Sequence, residues 1–561
     1  MRRILILLGF LGALSVVAEA EQGSRSADHE FRVLRDAYLA KFKPLWLQSQ
    51  AAWWEANTTG SEAAFARKKT ADKALVELHS DGGMFARISA LREQGRVSDP
   101  VLRRQLDVMY RTFLPGQADT DLQKRIVELE SDVEQIFNTH RSRVGERVLT
   151  ENDVREIVAT TTDPSETEVA WKAYMQVGRK VEAKLSELVR LRNEMARQLG
   201  FRSYYSMRLV LQEIDEEELF RLFDELDALT REPFAELKRE IDAARAARFR
   251  IPIAELRPWH YGDLFFQEVP GGRDVDLDEL FKDADLVGLA KTYYAGIGLP
   301  CGDVLARSDL YEKPGKSPHA FCTDLDRAGD IRVLCNLKPN AYWADTLLHE
   351  LGHAVYDKYI RRDVPFLLRQ ASHGITTEGI AMMFGALVKN EDWLTGVLKV
   401  DPRQAARVGR AARESLRAEK LIFSRWTQVM VRFERGMYTN PQQNLGKLWW
   451  GLKKRYQLLN PPETVDRPDY AAKAHILTTP VYYHNYQLGD LFAAQVRHHL
   501  AREILGLEGP NETSFRGRPL VGAYLCEKIF GPGNLDSWNE LTELATGEPL
   551  TAKYFAEGFI E

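Results

Sequence analysis

A mainly α fold, one large helical domain with two lobes around a deep cleft, is what this sequence predicts, and three observations carry the prediction. First, apolar residues recur at three and four over FRVLRDAYLAKFKPLWLQSQAAWWEA (31–56), LQKRIVELESDVEQIFNTH (122–140) and EVAWKAYMQVGRKVEAKLSELVRLRNEMARQLG (168–200). Second, strand-like text is scarce, and the best case is HAFCTDL and IRVLCNL around the turn DRAGD (319–337), a small β-hairpin. Third, there is no internal repeat and no low-complexity linker. The Gly/Pro stretches VPGGRDVD (269–276) and EKPGKSP (312–318) therefore read as surface loops inside one domain, 21–561.

The helices have enough apolar material to bury: 44% of 561 residues are hydrophobic. Formal net charge is −5 with both signs interspersed, which excludes the concentrated basic footprint of a nucleic-acid binder. The N-terminus joins two arginines, an apolar run from Ile4 to Val17, and Ala18-Glu19-Ala20. That order predicts a signal peptide over 1–20 and an exported chain, periplasmic or extracellular, with an uncleaved anchor as the alternative. No other stretch is apolar for long enough to span a membrane. The four cysteines do not make a disulfide scaffold, although Cys322 and Cys335 flank the hairpin and are placed to pair across it.

Just after the hairpin comes LLHELGHAVYDKYI (347–360), in which His349, Glu350 and His353 form HExxH. On a helix, residues four apart share a face, so His349 and His353 present two imidazoles to one ion with Glu350 beside it. Catalytic zinc takes three protein ligands and keeps one position open for water, with a carboxylate nearby to accept the proton. The helix is expected to end near 361–365, and ITTEGIAMMFGALVKN to begin another with Thr376 or Thr377 near its cap. Glu378 then stands 25 residues after His353 as the third ligand, with Asp357, Asp363 and Glu391 as competitors. Such a set suits hydrolysis of an amide, with Glu350 as general base.

Several further segments resemble the angiotensin-converting-enzyme family of zinc peptidyl-dipeptidases. They are LWWGLKKRYQLLNPP (448–462), DYAAKAHILTTPVYYHNYQLG (469–489), SPHAFC (317–322) and AAWWEANTTG (51–60), in the family's order. The resemblance implies a gluzincin fold and one Zn2+ per chain, with short peptides as substrates. It also implies that His475 and Tyr486 stabilise the oxyanion, that His319 and Ala320 lie on a strand pairing with substrate backbone, and that Gln267, Lys473 and Tyr483 receive the terminal carboxylate. Tyr482 remains an alternative to Tyr483.

The sequence also departs from that pattern. The family's activating chloride is held by arginines and a Trp; Arg208 and Trp449 match two positions, but Lys453 and Asn485 stand where arginines are expected, so chloride activation is not expected. Met382 replaces an Asp four residues after the ligand Glu. The expectation is release of C-terminal dipeptides. A thimet-oligopeptidase-like endopeptidase and a catalytically silent peptide-binding ectodomain are the alternatives.

Overall fold

The computed structural model describes residues 2–270, 276–509 and 512–559, with side chains from Ser26 onward. The side chains of the expected leader, 1–20, and residues 271–275 of the 269–276 loop fall outside what is described. The predicted mainly α class is what the structure shows. Helices dominate, and the sheets among the described residues are two antiparallel hairpins. The three periodic stretches lie in helices Arg2–Thr59, Thr120–Thr139 and Pro164–Gln198. Asp119 and Asp163 accept backbone N–H groups at the starts of the latter two, satisfying donors that have no partner within the helix.

Most helices pack around one large apolar core running from Leu122 to Phe559. The N-terminal helices make a smaller cluster of their own, from Ala27 to Phe113, joined by Leu367. Trp53 and Trp54 of the first helix pack on Phe321 of the second hairpin, with ring centroids 4.1 and 6.1 Å apart. No helix among the described residues is long and apolar enough to cross a membrane.

That hairpin pairs Phe321–Asp324 with Ile331–Leu334, Phe321 opposite Leu334 and Cys322 opposite Val333. Both strands are shorter than the 319–337 reading. All four cysteines are free thiols, so the pairing of Cys322 with Cys335 is not formed. The register gives the reason. Cys335 lies diagonal to Cys322 rather than opposite it, and diagonal neighbours stand ~7–8 Å apart, beyond the reach of a relaxed disulfide.

Three helices then converge. Ala341–Tyr359 carries HExxH, Gly374–Gly385 carries Glu378, and Tyr483–His499 carries the tyrosines. Glycines set their spacing: a Cβ on Gly352 would lie 2.7 Å from Ala381 Cα, and one on Gly379 would lie 2.8 Å from Gly489 O. The middle helix is thus pressed close against both neighbours at these glycines.

Candidate active site

The HExxH helix starts at Asn340, whose side chain accepts the Trp343 N–H, and ends at Tyr359, slightly before the expected limit. The next helix starts at Gly374, its cap three or four residues earlier than predicted, because the Nδ1 of His373 accepts the Ile375 N–H and serves as the cap. Histidine is an uncommon cap, so the hydroxyls of Thr376 and Thr377 drew the boundary too late. Thr377 instead has another partner. Its Oγ1 lies 2.7 Å from His353 Nδ1, leaving Nε2 to face Glu378.

His349 Nε2 and His353 Nε2 each stand 3.7 Å from a Glu378 carboxylate oxygen, and one ligand atom from each of the three falls within 4.8 Å of the others. Two ligands ~2 Å from a tetrahedral ion lie ~3.3 Å apart, so the two His–Glu378 separations exceed that by a few tenths of an ångström, and two imidazoles with one carboxylate are a donor set that suits zinc. The competitors face elsewhere: Asp363 pairs with Arg361 at 3.4 Å and Glu391 with Arg413 at 3.5 Å. Asp357 is half-buried and feels the charges of Asp324 and Arg327.

Burial pulls His349 and His353 down to about 4 and about 3, so both are neutral and able to bind metal. Burial, and then the charge of Glu378, raise Glu350 to about 8, opposed by the Cys322 backbone N–H that its carboxylate accepts. The base is therefore anchored to the hairpin through main chain. Met382 offers no acceptor; its Cε packs toward Gly489. Asp345, one turn before His349, holds its carboxylate beside Gly385 and the His349 Cβ.

His475 belongs to the short helix Ala474–Thr478, and its ring centroid is 5.3 Å from that of Tyr483. The turn into the tyrosine helix is held by buried Glu434, which accepts the N–H of Val481, a non-glycine residue at φ +56°. Tyr486 is 39% exposed and feels the Glu378 charge, as does Tyr482, whose ring lies 5.3 Å from Tyr486. Tyr483 is buried and turns toward Lys473, whose ammonium lies 5.6 Å from its ring centroid. The two candidates for the carboxylate role therefore differ in place: Tyr482 is on the Glu378 side and Tyr483 on the lysine side.

Gln267 and Lys473, 206 positions apart, meet: Lys473 Nζ donates to Gln267 Oε1 at 2.8 Å. One cleft of about 1060 Å³ is lined by His349 and Tyr486 and also by Gln267. His319 and Ala320 differ from expectation. Both precede the strand, which begins at Phe321, and His319 is exposed, its N–H turned back to Ser317 Oγ at 3.3 Å. Pro318 immediately before His319 restricts Ser317 and delays the start of strand pairing.

Comparison with known proteins agrees with this geometry. The family profile described as Peptidase_M2, angiotensin-converting enzyme, matches residues 27–246 and 278–557. The chain belongs to the angiotensin-converting enzyme family. Among similar proteins, angiotensin-converting enzyme of Oryctolagus cuniculus is 23% identical over 94% of this chain and 42% of its own length. That of Rattus norvegicus is 22% identical over 96% and 43%. The angiotensin-converting enzyme-like protein Ace3 of Mus musculus is 23% identical over 73% and 59%. The chain thus spans roughly half the length of these relatives.

Sequence reasoning missed Thr377 as the partner of His353 and the residues that hold the 263–268 loop. Thr377 is detectable in sequence, since it adjoins Glu378 on the same helix and carries a hydroxyl that need not serve as a cap.

Proposed function

We propose that the chain is an exported zinc peptidase that releases dipeptides from the C-termini of short peptides. The observation that carries the reading is the contact of Lys473 with Gln267, a residue that lines the same cleft as His349. An ammonium and a neutral amide at a set distance from the metal-binding side chains suit capture of a terminal carboxylate, and that distance sets how many residues leave. Export rests on the signal pattern of residues 1–20.

His349, His353 and Glu378 are the residues that would hold the ion. Zinc bound there would polarise the scissile carbonyl and acidify water. Glu350, fixed by the Cys322 N–H, takes the proton from the attacking water and returns it to the leaving amine. Tyr486 and His475 donate hydrogen bonds where negative charge develops on the carbonyl oxygen. Burial and the neighbouring Lys473 lower the pKa of His475, so it acts as a neutral N–H donor. Tyr483 stands with Lys473 at the carboxylate end. The neighbouring main chain of Ala320 and Phe321 grips the peptide by strand addition.

Chloride is not required in this reading. Lys453 Nζ donates to Phe265 O at 2.8 Å, and Asn485 Nδ2 to Gln212 Oε1 at 2.7 Å. Mass spectrometry of a digested decapeptide tests the activity. Successive losses of two C-terminal residues, abolished by chelator and by Glu350→Gln, are expected. Internal cuts would reassign the protein as an endopeptidase, and zinc binding without turnover would make it a silent ectodomain.

A further inference from the structure

The carboxylate end of the cleft rests on a loop, 261–268, that has no regular secondary structure beyond bends. Its backbone groups are nonetheless taken up by buried side chains from other elements. Trp171 Nε1 donates to Leu264 O at 2.9 Å. Lys453 Nζ donates to Phe265 O at 2.8 Å, and Gln457 Nε2 donates to Phe265 O at 3.3 Å and to Phe266 O. From within the loop, the buried Asp263 carboxylate accepts the N–H groups of Phe265 at 2.7 Å, Gln267 at 2.8 Å and Glu268 at 3.1 Å.

Lys453 and Gln457 lie four apart on one face of the helix Leu445–Gln457, and they are 2% and 0% exposed. A buried lysine and a buried glutamine are expensive to retain unless their donors have a task. Here both are aimed at successive carbonyls of one loop. The ammonium of Lys453 is enclosed by indoles, 5.0 Å from the Trp426 ring and 5.4 Å from that of Trp449, and it donates to a neutral carbonyl rather than to a carboxylate. Between the two carbonyls they hold, Phe266 has φ +54°, a left-handed conformation for a bulky residue that persists only where the surroundings over-determine it. The residue this conformation delivers next is Gln267, whose Oε1 meets Lys473.

We infer that Lys453 and Gln457 are positioning residues for peptide C-terminus recognition: by clamping the Phe265 and Phe266 carbonyls they hold the loop in the one conformation that keeps Gln267 on Lys473. This rests on the carboxylate-receptor reading above. Neither residue touches the peptide. Both act through Gln267, and their contribution is selective for substrates and products with a free terminal carboxylate.

The test uses the zinc-loaded full chain with Gln457→Leu and, separately, Lys453→Met, which fills the indole cage with an uncharged side chain of similar length. Two readouts are taken. One is hydrogen exchange at the Phe265, Gln267 and Glu268 amides. The other is the inhibition constant of an apolar dipeptide relative to that of its C-terminal amide. Each variant is expected to raise exchange at those three amides while the HExxH helix keeps its protection. Each is also expected to weaken the free dipeptide about tenfold with the amide unchanged. In a Gln267→Leu background, Gln457→Leu is expected to add no further loss of acid-over-amide preference. Unchanged exchange at the three amides overturns the inference. So does equal weakening of acid and amide, or a loss that persists in full in the Gln267→Leu background, because either marks a merely structural role. If the unsubstituted protein binds acid and amide alike, the carboxylate-receptor reading falls, and the selectivity part of the inference falls with it. The exchange readout still separately decides whether Lys453 and Gln457 hold the loop.

Discussion

A ligating imidazole needs its second nitrogen occupied, or the ring turns and the wrong tautomer forms. His353 meets that need with the Thr377 hydroxyl at 2.7 Å, a weaker acceptor than a carboxylate but supplied by the residue next to Glu378, so one turn of helix brings both a ligand and a ligand's support. Thr377→Val keeps the shape and removes the acceptor. Zinc affinity is expected to fall ~10–100-fold. Competition against a chromogenic chelator measures it, and an affinity unchanged within twofold would show that His353 is oriented by packing alone. Lys473 supplies a second prediction. Burial pulls its ammonium down to about 8 despite the opposing charge of Asp263, whereas an exposed lysine titrates near 10.5. Only the protonated form attracts a carboxylate, so kcat/KM for a free-acid peptide is expected to fall about tenfold per pH unit above 8. The amide of the same peptide should lack this limb. An identical alkaline limb for acid and amide would assign the titration to another group.

At the scale of elements, what the sequence discloses and what it hides divide along a physical line. HExxH was legible because ligands and base share one helix face, and periodicity alone places them. Glu378 was legible as a position at workable spacing, but what aims it at the histidines is the glycine contact on either side, Gly352 against Ala381 and Gly379 against Gly489. Close approach of two backbones leaves no periodic signature in either segment. The same holds for the 261–268 loop, whose backbone hydrogen-bond partners come from two distant helices, and for the shift of the strand start from His319 to Phe321. These contacts make Gly352→Ala informative. The new Cβ would stand 2.7 Å from the Ala381 Cα, so the two helices must part, at a cost of ~1–3 kcal/mol for overpacking. Because Ala381 is three residues from Glu378, zinc affinity should fall along with the melting temperature. A lowered melting temperature with zinc affinity intact would show that the ligand helix moves as a unit with the histidines.

For the molecule as a whole, the division of apolar burial into two clusters carries a consequence for its stability. The larger cluster contains the elements that supply the zinc ligands, the tyrosines and the 261–268 loop. The smaller contains the packed faces of helices within 27–113, and its contacts with the rest include Leu367 in its core, Arg327 stacked between Trp46 and Phe366, and Arg104 and Arg111 paired with Glu213. Regions that bury less apolar surface open at lower free energy than the core they rest on. Trp53 and Trp54 nevertheless cover Phe321, so loosening of the first helix uncovers the hairpin whose Cys322 N–H holds Glu350. Native-state hydrogen exchange in rising denaturant should therefore show amides of the helix Pro100–Phe113 losing protection before those of Ala341–Tyr359, in a separate step. Peptidase activity should decline with the earlier step, since the general base loses its anchor before the zinc ligands separate. If both helices lose protection together at one denaturant concentration, the two clusters are a single cooperative unit, and the smaller cluster exerts no separate control over the catalytic carboxylate.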